Sequence, residues 1–368
     1  MKKIILLGLS IFIALNISEV QAQDNKNKPK KVKNIILMIG DGMGTSQVYA
    51  AMVAKKGDLN MTKTKHMGFS KTYSASDFVT DSGAGGTAIA IGMKANNKSV
   101  GVDKDYKPRK SILEIAEENG LSTGLVATAA ITHATPASFI AHNKSRKNYE
   151  EIASDFLKTD IDVFIGGGLK HFSKRDDKQN LVDSLKARNY SVVTSIDDLQ
   201  NSEASKIAGL LYEKHPPKLA DGRGDMLEKA SMKAIEVLSK NDDGFFLMIE
   251  GSQIDWGGHD NNTDYIVEEA VDFDNTIGKV VDWAEKEGNT LVLITADHET
   301  GGMAIKDGDI EKGEVKGKYT TYYHSGVMVP VFAFGPGARR FQGIQENTDL
   351  FYKMCRLLKL PIPKDRKK

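Results

Sequence analysis

Short apolar runs recur along the chain, and each lies beside an acidic residue or a histidine. The runs cover residues 35–39, 125–127, 245–249, 291–294 and 327–334. Continuous apolar runs of this length are typical of parallel β-strands that are buried on both faces of a sheet. The first four runs are each followed by an Asp, Glu or His, whereas His324 precedes the last one.

Helical patterns separate these predicted strands. Ser111 and Glu114 form a capping box that predicts a helix from 111 to 119, ended by Gly120. Residues 263–287 carry apolar side chains at helical spacing and end at Gly288. Residues 162–165 and 190–193 predict further strands. This alternation predicts a three-layer α/β/α fold with a central, mostly parallel sheet.

The chain is predicted to have an export signal and one catalytic domain. Residues 1–22 combine a basic start, an apolar centre and a small-residue cleavage site, and 23–33 form a polar linker. The apolar centre is shorter than the roughly 20 residues of a spanning helix, which favours cleavage over a retained anchor. Residues 34–368 form the domain, with a surface excursion around 170–225 and a Gly- and Lys-rich loop at 303–323 near the site.

Composition narrows the function further. The chain has 368 residues, of which 40% are hydrophobic and 27% charged, as expected of a globular protein. Its net charge is +1, so nothing indicates nucleic acid as a specific partner. Cys355 is the only cysteine, so the exported protein has no internal disulfide. After signal cleavage no membrane span is expected, and the protein would be periplasmic or extracellular.

The polar residues beside the strands predict a polynuclear metal site. Ligands bind at the carboxyl ends of the strands in open α/β sheets, so these side chains should meet at one edge. Mixed nitrogen and oxygen ligands suit zinc, whereas oxygen ligands alone suit magnesium. One Asp–His pair would more often be structural, but so many at strand ends favour metal binding. The candidate ligands are Asp41, Thr135, Glu250, Asp255, His259, Asp297, His298 and His324.

Ser82 is the candidate nucleophile. It follows Asp81 in a run of small residues that is predicted to begin a helix, where free N–H groups favour an anion. A serine hydroxyl needs a base or a metal to act as a nucleophile, and no Gly-x-Ser-x-Gly elbow is present. Metal activation is therefore the simplest interpretation. Arg146 could bind two phosphoryl oxygens with its planar guanidinium.

These motifs occur in an order that resembles the alkaline phosphatases. The resemblance covers about residues 34 to 354 and is strongest to compact, cold-active bacterial members. It is carried by Asp41-Gly42-Met43-Gly44, Asp81-Ser82, Thr135-Pro136, Arg146, residues 250–259, Asp297-His298-Glu299 and His324-Ser325-Gly326. The resemblance implies hydrolysis of small phosphate monoesters by a homodimer.

The resemblance also implies the role of each residue. Ser82 would become phosphorylated, Arg146 would bind the phosphoryl group, and Asp81 would hold Arg146. Each subunit would carry two Zn²⁺ and one Mg²⁺. One zinc would be bound by Asp255, His259 and His324, and the other by Asp41, Asp297, His298 and the Ser82 oxygen. The magnesium would be bound by Asp41, Thr135 and Glu250.

Two positions depart from the enterobacterial members of that family. His133 and Trp256 stand where those members carry Asp and Lys, and both should border the pocket as substrate-contacting or supporting residues. The other histidines that lack a strand-end position, His66, His142, His171 and His215, are assigned to the surface or the core.

Two other functions fit part of the pattern. Related metal hydrolases cleave phosphodiesters, phosphonates or sulfate esters, but the resemblance implies that these usually lack the oxygen-only site. A non-catalytic phosphate- or metal-binding protein of the cell envelope would not need an intact nucleophile beside full ligand sets.

Overall fold

The computed structural model describes residues 31–366. The predicted signal segment, most of the predicted linker and the last two residues lie outside this range. The strands are β1 (Asn34–Gly40), β2 (His66–Lys71), β3 (Ser122–Ala130), β4 (Val163–Gly167), β5 (Ser191–Val193), β6 (Ile207–Tyr212), β7 (Phe245–Gly251), β8 (Thr290–Thr295), β9 (Glu299–Thr300), β10 (Ala304–Asp309), β11 (Glu314–Lys318), β12 (His324–Ser325), β13 (Val329–Phe334) and β14 (Gly343–Glu346).

The helices lie between these strands. They are α1 (Thr45–Ala54), α2 (Ser82–Ile91), α3 (Ile112–Glu118), α4 (Ala134–Ala137), α5 (Tyr149–Asp155), α6 (Leu169–Ser173), α7 (Leu181–Ala187), α8 (Ile196–Asn201), α9 (Met226–Leu238), α10 (Gln253–His259), α11 (Thr263–Glu287) and α12 (Asn347–Leu358). Short 3₁₀ turns cover Asn60–Lys63, Leu219–Asp221, Ala338–Phe341 and Lys364–Arg366. The Ser111–Glu114 capping box is present at the start of α3.

A ten-stranded sheet forms the middle layer, in the order β14-β2-β13-β8-β1-β7-β3-β4-β6-β5. Within this sheet only β13 runs antiparallel to its neighbours, β8 and β2. The predicted mostly parallel sheet is confirmed. The last apolar run is an exception, because it forms an antiparallel strand.

The direction of β13 explains the position of His324. An antiparallel strand begins at the edge where its parallel neighbours end. His324 precedes β13 and lies in β12, which pairs with β9 just after β8. His324 therefore lies at the same edge as the residues that follow β1, β7 and β8.

Alternate residues of the central strands pack on opposite faces of the sheet. In β1, Ile35 and Leu37 are buried against α2, α3 and α12, whereas Ile36 and Met38 are buried against α1, α9 and α11. Burying one such side chain contributes roughly 1.5–3 kcal/mol, so the two apolar layers hold the sheet in a fixed position. The three-layer α/β/α architecture is confirmed.

Two segments differ from the sequence predictions. Residues 170–225 contain β5 and β6, which form one edge of the central sheet, so this segment extends the fold instead of leaving it. Residues 303–323 contain the antiparallel hairpin β10–β11 where a loop was predicted. Residues 303–323 have few apolar side chains because a two-stranded hairpin keeps one face in solvent. In 170–225 the edge strand β5 is only partly buried, whereas β6 is buried.

No helix between residues 31 and 366 is both long enough and apolar enough to span a bilayer.

Candidate active site

The candidate ligands lie at one edge of the sheet, in three groups, two of which share Asp41. Within each group the carboxylate oxygens and imidazole nitrogens lie within 4.8 Å of one another. The groups are Asp41 with Asp297 and His298, Asp255 with His259 and His324, and Asp41 with His133 and Glu250. Asp41 belongs to two groups because it directly follows the central strand β1.

The first group surrounds the Nε2 atom of His298. This nitrogen lies 3.3 Å from an Asp41 oxygen, 3.3 Å from an Asp297 oxygen and 3.1 Å from the Ser82 hydroxyl. All four side chains are buried, with 1% exposure or less. Nitrogen and oxygen atoms at these separations form the kind of donor set that a zinc ion takes.

The second group is oriented by hydrogen bonds from its histidines. An Asp255 oxygen lies 3.4 Å from Nε2 of His259 and 3.6 Å from Nε2 of His324. Nδ1 of His259 is 2.7 Å from the Tyr322 carbonyl, and Nδ1 of His324 is 2.7 Å from the Thr80 carbonyl. Because these carbonyls accept the Nδ1 protons, both Nε2 atoms face Asp255, where they can bind a metal once they carry no proton.

The third group is rich in oxygen. The Thr135 hydroxyl, in α4, donates to Asp41 at 3.3 Å, and Glu250 lies at the end of β7. His133 is the residue before α4, and its imidazole places a nitrogen atom among the oxygens of this group. Hard cations such as magnesium favour the oxygens, whereas the imidazole nitrogen favours zinc.

The carboxylates perturb one another because they are buried together. Burial, and then the charges of Asp255 and Glu250, raise the pKa of Asp297 to about 8. Burial raises the pKa of Glu250 to about 7 and also raises the pKa of Asp41. The pKa of Asp255 is lowered against the effect of burial, chiefly by its hydrogen bond with His259. That bond raises the pKa of His259 to about 9.

The donor atoms fit bound cations. One oxygen each of Asp41 and Asp297 and both oxygens of Glu250 are buried without a hydrogen-bond partner among residues 31–366. A buried carboxylate oxygen without a partner costs free energy unless a positive charge lies next to it. The unpartnered atoms belong to the first and third groups. Those of Asp41 and Asp297 face Nε2 of His298, and burial lowers the pKa of this imidazole, so it supplies no positive charge.

Ser82 is the first residue of α2, and Asp81 caps this helix. One Asp81 oxygen accepts from the backbone N–H of Ala84 at 3.0 Å. The other oxygen accepts from the Arg146 guanidinium and from the Lys98 backbone N–H, each at 3.0 Å. Asp81 thus connects the start of α2 to Arg146, so the serine hydroxyl and the guanidinium lie on one rigid support.

Two glycines allow the elements to approach this closely. Gly42 has a φ of +72°, and a Cβ there would lie 2.7 Å from the Cα of Asp255. At Gly85, in α2, a Cβ would lie 2.8 Å from the Asp297 carbonyl oxygen. Both contacts are closer than a side chain tolerates, so glycine is required where the ligand-bearing segments touch.

His133 and Trp256 lie next to each other beside the candidate ligands, with perpendicular rings whose centroids are 6.1 Å apart. Nε2 of His133 is 3.4 Å from the Arg146 guanidinium. Burial, and then the positive charge of Arg146, lower the pKa of His133, so its imidazole is neutral. His215 also contacts both rings, although its sequence context did not distinguish it. Its position three residues after β6 is a signal only once that strand is known.

Comparison with known proteins identifies the family. The family model for alkaline phosphatase matches residues 32–317. The chain belongs to the alkaline phosphatase family. It is 33% identical to alkaline phosphatase 4 of Bacillus subtilis, over 96% of this chain and 95% of that protein. It is 43% identical to the alkaline phosphatase of the Antarctic bacterium TAB5, with a TM-score of 0.86 over 90% of this chain and 99% of the other.

A second solved structure concerns metal binding. It is a TAB5 variant in which one histidine is replaced by Asp, with magnesium bound in its M3 site. The chain is 42% identical to it, with a TM-score of 0.85 over 91% of this chain and 100% of the other. These matches show an alkaline-phosphatase fold and a phosphomonoesterase.

Proposed function

We propose that the chain hydrolyses phosphate monoesters through a phosphoserine on Ser82, with two Zn²⁺ and one Mg²⁺ per subunit. The observation that carries this proposal is the convergence of Ser82, Asp41 and Asp297 on Nε2 of His298, within 3.1–3.3 Å. A hydroxyl that lies inside a metal-ligand group can be activated without a separate base.

Each metal has its own proposed ligands. Asp255, His259 and His324 would hold one zinc, and Asp41, Asp297 and His298 would hold the other, next to Ser82. Asp41, Thr135 and Glu250 would hold the magnesium. When bound, the metals would lower the pKa of the serine hydroxyl, supply hydroxide and neutralise phosphoryl charge.

The protein residues then perform a double displacement. Ser82 Oγ attacks phosphorus, the bond to the leaving oxygen breaks, and the serine proton ends on the departing alcohol. Water next attacks the phosphoserine, which returns the hydroxyl to Ser82 and releases inorganic phosphate. Arg146, held by Asp81 at 3.0 Å, binds two phosphoryl oxygens in both steps.

His133 determines which metal the third group prefers. Its imidazole takes the place of a carboxylate, which would add negative charge and order water around magnesium. We infer weak magnesium affinity and easy replacement by zinc. The TAB5 variant with magnesium in its M3 site supports this inference, because there a histidine was exchanged for Asp. Trp256 can pack and donate one N–H, and so should let phosphate leave faster than a lysine would.

The remaining proposals concern the protein outside its active site. Residues 1–22 would direct export, to a periplasm or outside the cell, and would then be removed. The mature chain would form a homodimer, which sedimentation of the purified protein would detect.

Metal content and substrate class test the function together. The purified chain should contain zinc and magnesium and hydrolyse p-nitrophenyl phosphate above neutral pH. Chelation should abolish this activity, and zinc with magnesium should restore it. Turnover only of bis-p-nitrophenyl phosphate or a sulfate ester would favour another metal hydrolase. Metal binding without turnover would favour a binding protein.

A further inference from the structure

His215 completes a cluster of three mutually perpendicular rings at the edge of the site. Its ring centroid lies 5.6 Å from that of His133 and 5.0 Å from that of Trp256, with interplanar angles of 87° and 89°. His133 is buried, Trp256 is half-buried and His215 is exposed. His215 therefore covers the other two rings on their solvent side.

The position of His215 is fixed from two directions. Its Nδ1 accepts a hydrogen bond from the backbone N–H of Ala130, at the end of β3, at 3.1 Å. The next two residues, Pro216 and Pro217, offer their carbonyls to the buried Gln253 side chain, at 3.0 and 3.3 Å. Gln253 begins α10, the helix that carries Asp255 and Trp256.

A second link holds the same loop further along. The buried Arg223 donates to Glu269 of α11 at 3.0 Å and to Asp272 at 2.9 Å. The chain that follows His215 is thus anchored to α10, which carries the candidate ligands Asp255 and His259, and to the next helix, α11.

In contrast, hydrogen bonds do little to orient the His133 imidazole. Its Nδ1 is buried without a hydrogen-bond partner among residues 31–366. Its Nε2 has only a long contact, 3.4 Å, with the Arg146 guanidinium. The orientation of this imidazole toward Asp41 and Glu250 therefore depends on the rings that pack against it.

We propose that His215 is a positioning residue, which holds the His133 imidazole toward the third metal group and excludes water from it. This inference rests on the proposed third site. A fixed imidazole favours zinc there, whereas a freed imidazole and entering water favour magnesium, which keeps several water ligands. Loss of a residue that orients a metal ligand costs roughly 10- to 100-fold in affinity.

Crystals of the full chain, equilibrated with equal zinc and magnesium, test this by anomalous diffraction at the zinc edge. This measurement gives the zinc occupancy of each group separately, and the same crystals show the orientation of the His133 side chain. In His215→Ala, the affinity of the third group for zinc relative to magnesium should fall about tenfold or more, and the His133 side chain should be turned away. The other two groups should keep their zinc. His215→Asn keeps an acceptor for the Ala130 N–H but lacks the ring, and should show the same loss.

His66→Ala is the matched control, because His66 lies on β2 outside all three groups. It should leave all three zinc signals unchanged. If zinc occupancy at the third group and the orientation of His133 were unchanged in both His215 variants, this inference would be overturned and the proposed function would still stand. Equal loss at all three groups would also overturn it, because it would show a general structural role. A parent protein with only two metals would overturn the proposed third site as well.

Discussion

One added methyl group in α2 should separate the nucleophile from its metal group. A Cβ on residue 85 would lie 2.8 Å from the Asp297 carbonyl oxygen and 3.2 Å from the Asp297 Cβ. Ordinary contact begins at 3.4 Å, so α2 and the 297–298 segment must move apart by roughly 0.6 Å. Ser82 begins this helix, and it lies 3.1 Å from His298 on the other side of the gap. Because displacements of about 1 Å cost roughly 100-fold in rate, we expect Gly85→Ala to lower kcat by about 10- to 100-fold.

Gly86→Ala is the matched control in the same helix. Its Cβ would meet the Ser138 hydroxyl at 3.1 Å and no backbone atom closer than 3.5 Å, so a small adjustment of that side chain suffices. Alanine favours a helix over glycine by about 1 kcal/mol, so loss of helix propensity cannot explain reduced activity in either variant. The assay is p-nitrophenyl phosphate turnover with full zinc and magnesium, together with thermal unfolding. Equal kcat values in the two variants would refute the reasoning.

Four further predictions follow from the site. Ser82→Ala should lose most turnover while still binding zinc, as dialysis against labelled metal would measure; loss of metal together with activity would contradict it. Arg146→Ala should be milder, with slower turnover and a higher inhibition constant for phosphate, and unchanged phosphate inhibition would count against its role. His133→Asp should bind magnesium more tightly after chelation, and calorimetric titration showing equal or weaker affinity would contradict this. In the metal-free protein, Asp297 and Glu250 have pKa values raised to about 8 and 7 from 3.8 and 4.5. Their favourable contribution is fully present below the unfolded values and is lost as pH rises through the folded ones. Below the ordinary histidine value of 6.5, the lowered pKa values of His133, His298 and His324 act in the opposite direction. The metal-free melting temperature should therefore fall between pH 7 and 8, and zinc should reverse the fall; a rise over that range would contradict the direction of these pKa shifts.

Strand ends were the part of the site that local sequence could predict. Buried parallel strands need long apolar runs, and the first acidic residue after such a run lies at the ligand edge. This places Asp41, Glu250 and Asp297 without knowledge of strand order. The start of α2 at Ser82 was predictable as well, because Asp81 and the small residues after it mark a capped helix.

Contacts that depend on strand pairing were not predictable in the same way. The apolar run of β13 is the same whether the strand is parallel or antiparallel, yet its direction decides where His324 lies. His215 follows β6, which is next to the edge strand of the sheet. It meets His133, which is far away in sequence, only through the fold. The sequence pattern identifies the candidate ligands, whereas the residues that orient them can be identified only from their packing in the folded protein.

Acid quenching during turnover of a phosphate monoester, followed by peptide mass spectrometry, tests the central claim most directly. We expect a phosphate group on Ser82 in the metal-loaded parent, and none in Ser82→Ala or in the chelated protein. Phosphate trapped on another residue, or full turnover by Ser82→Ala, would contradict it.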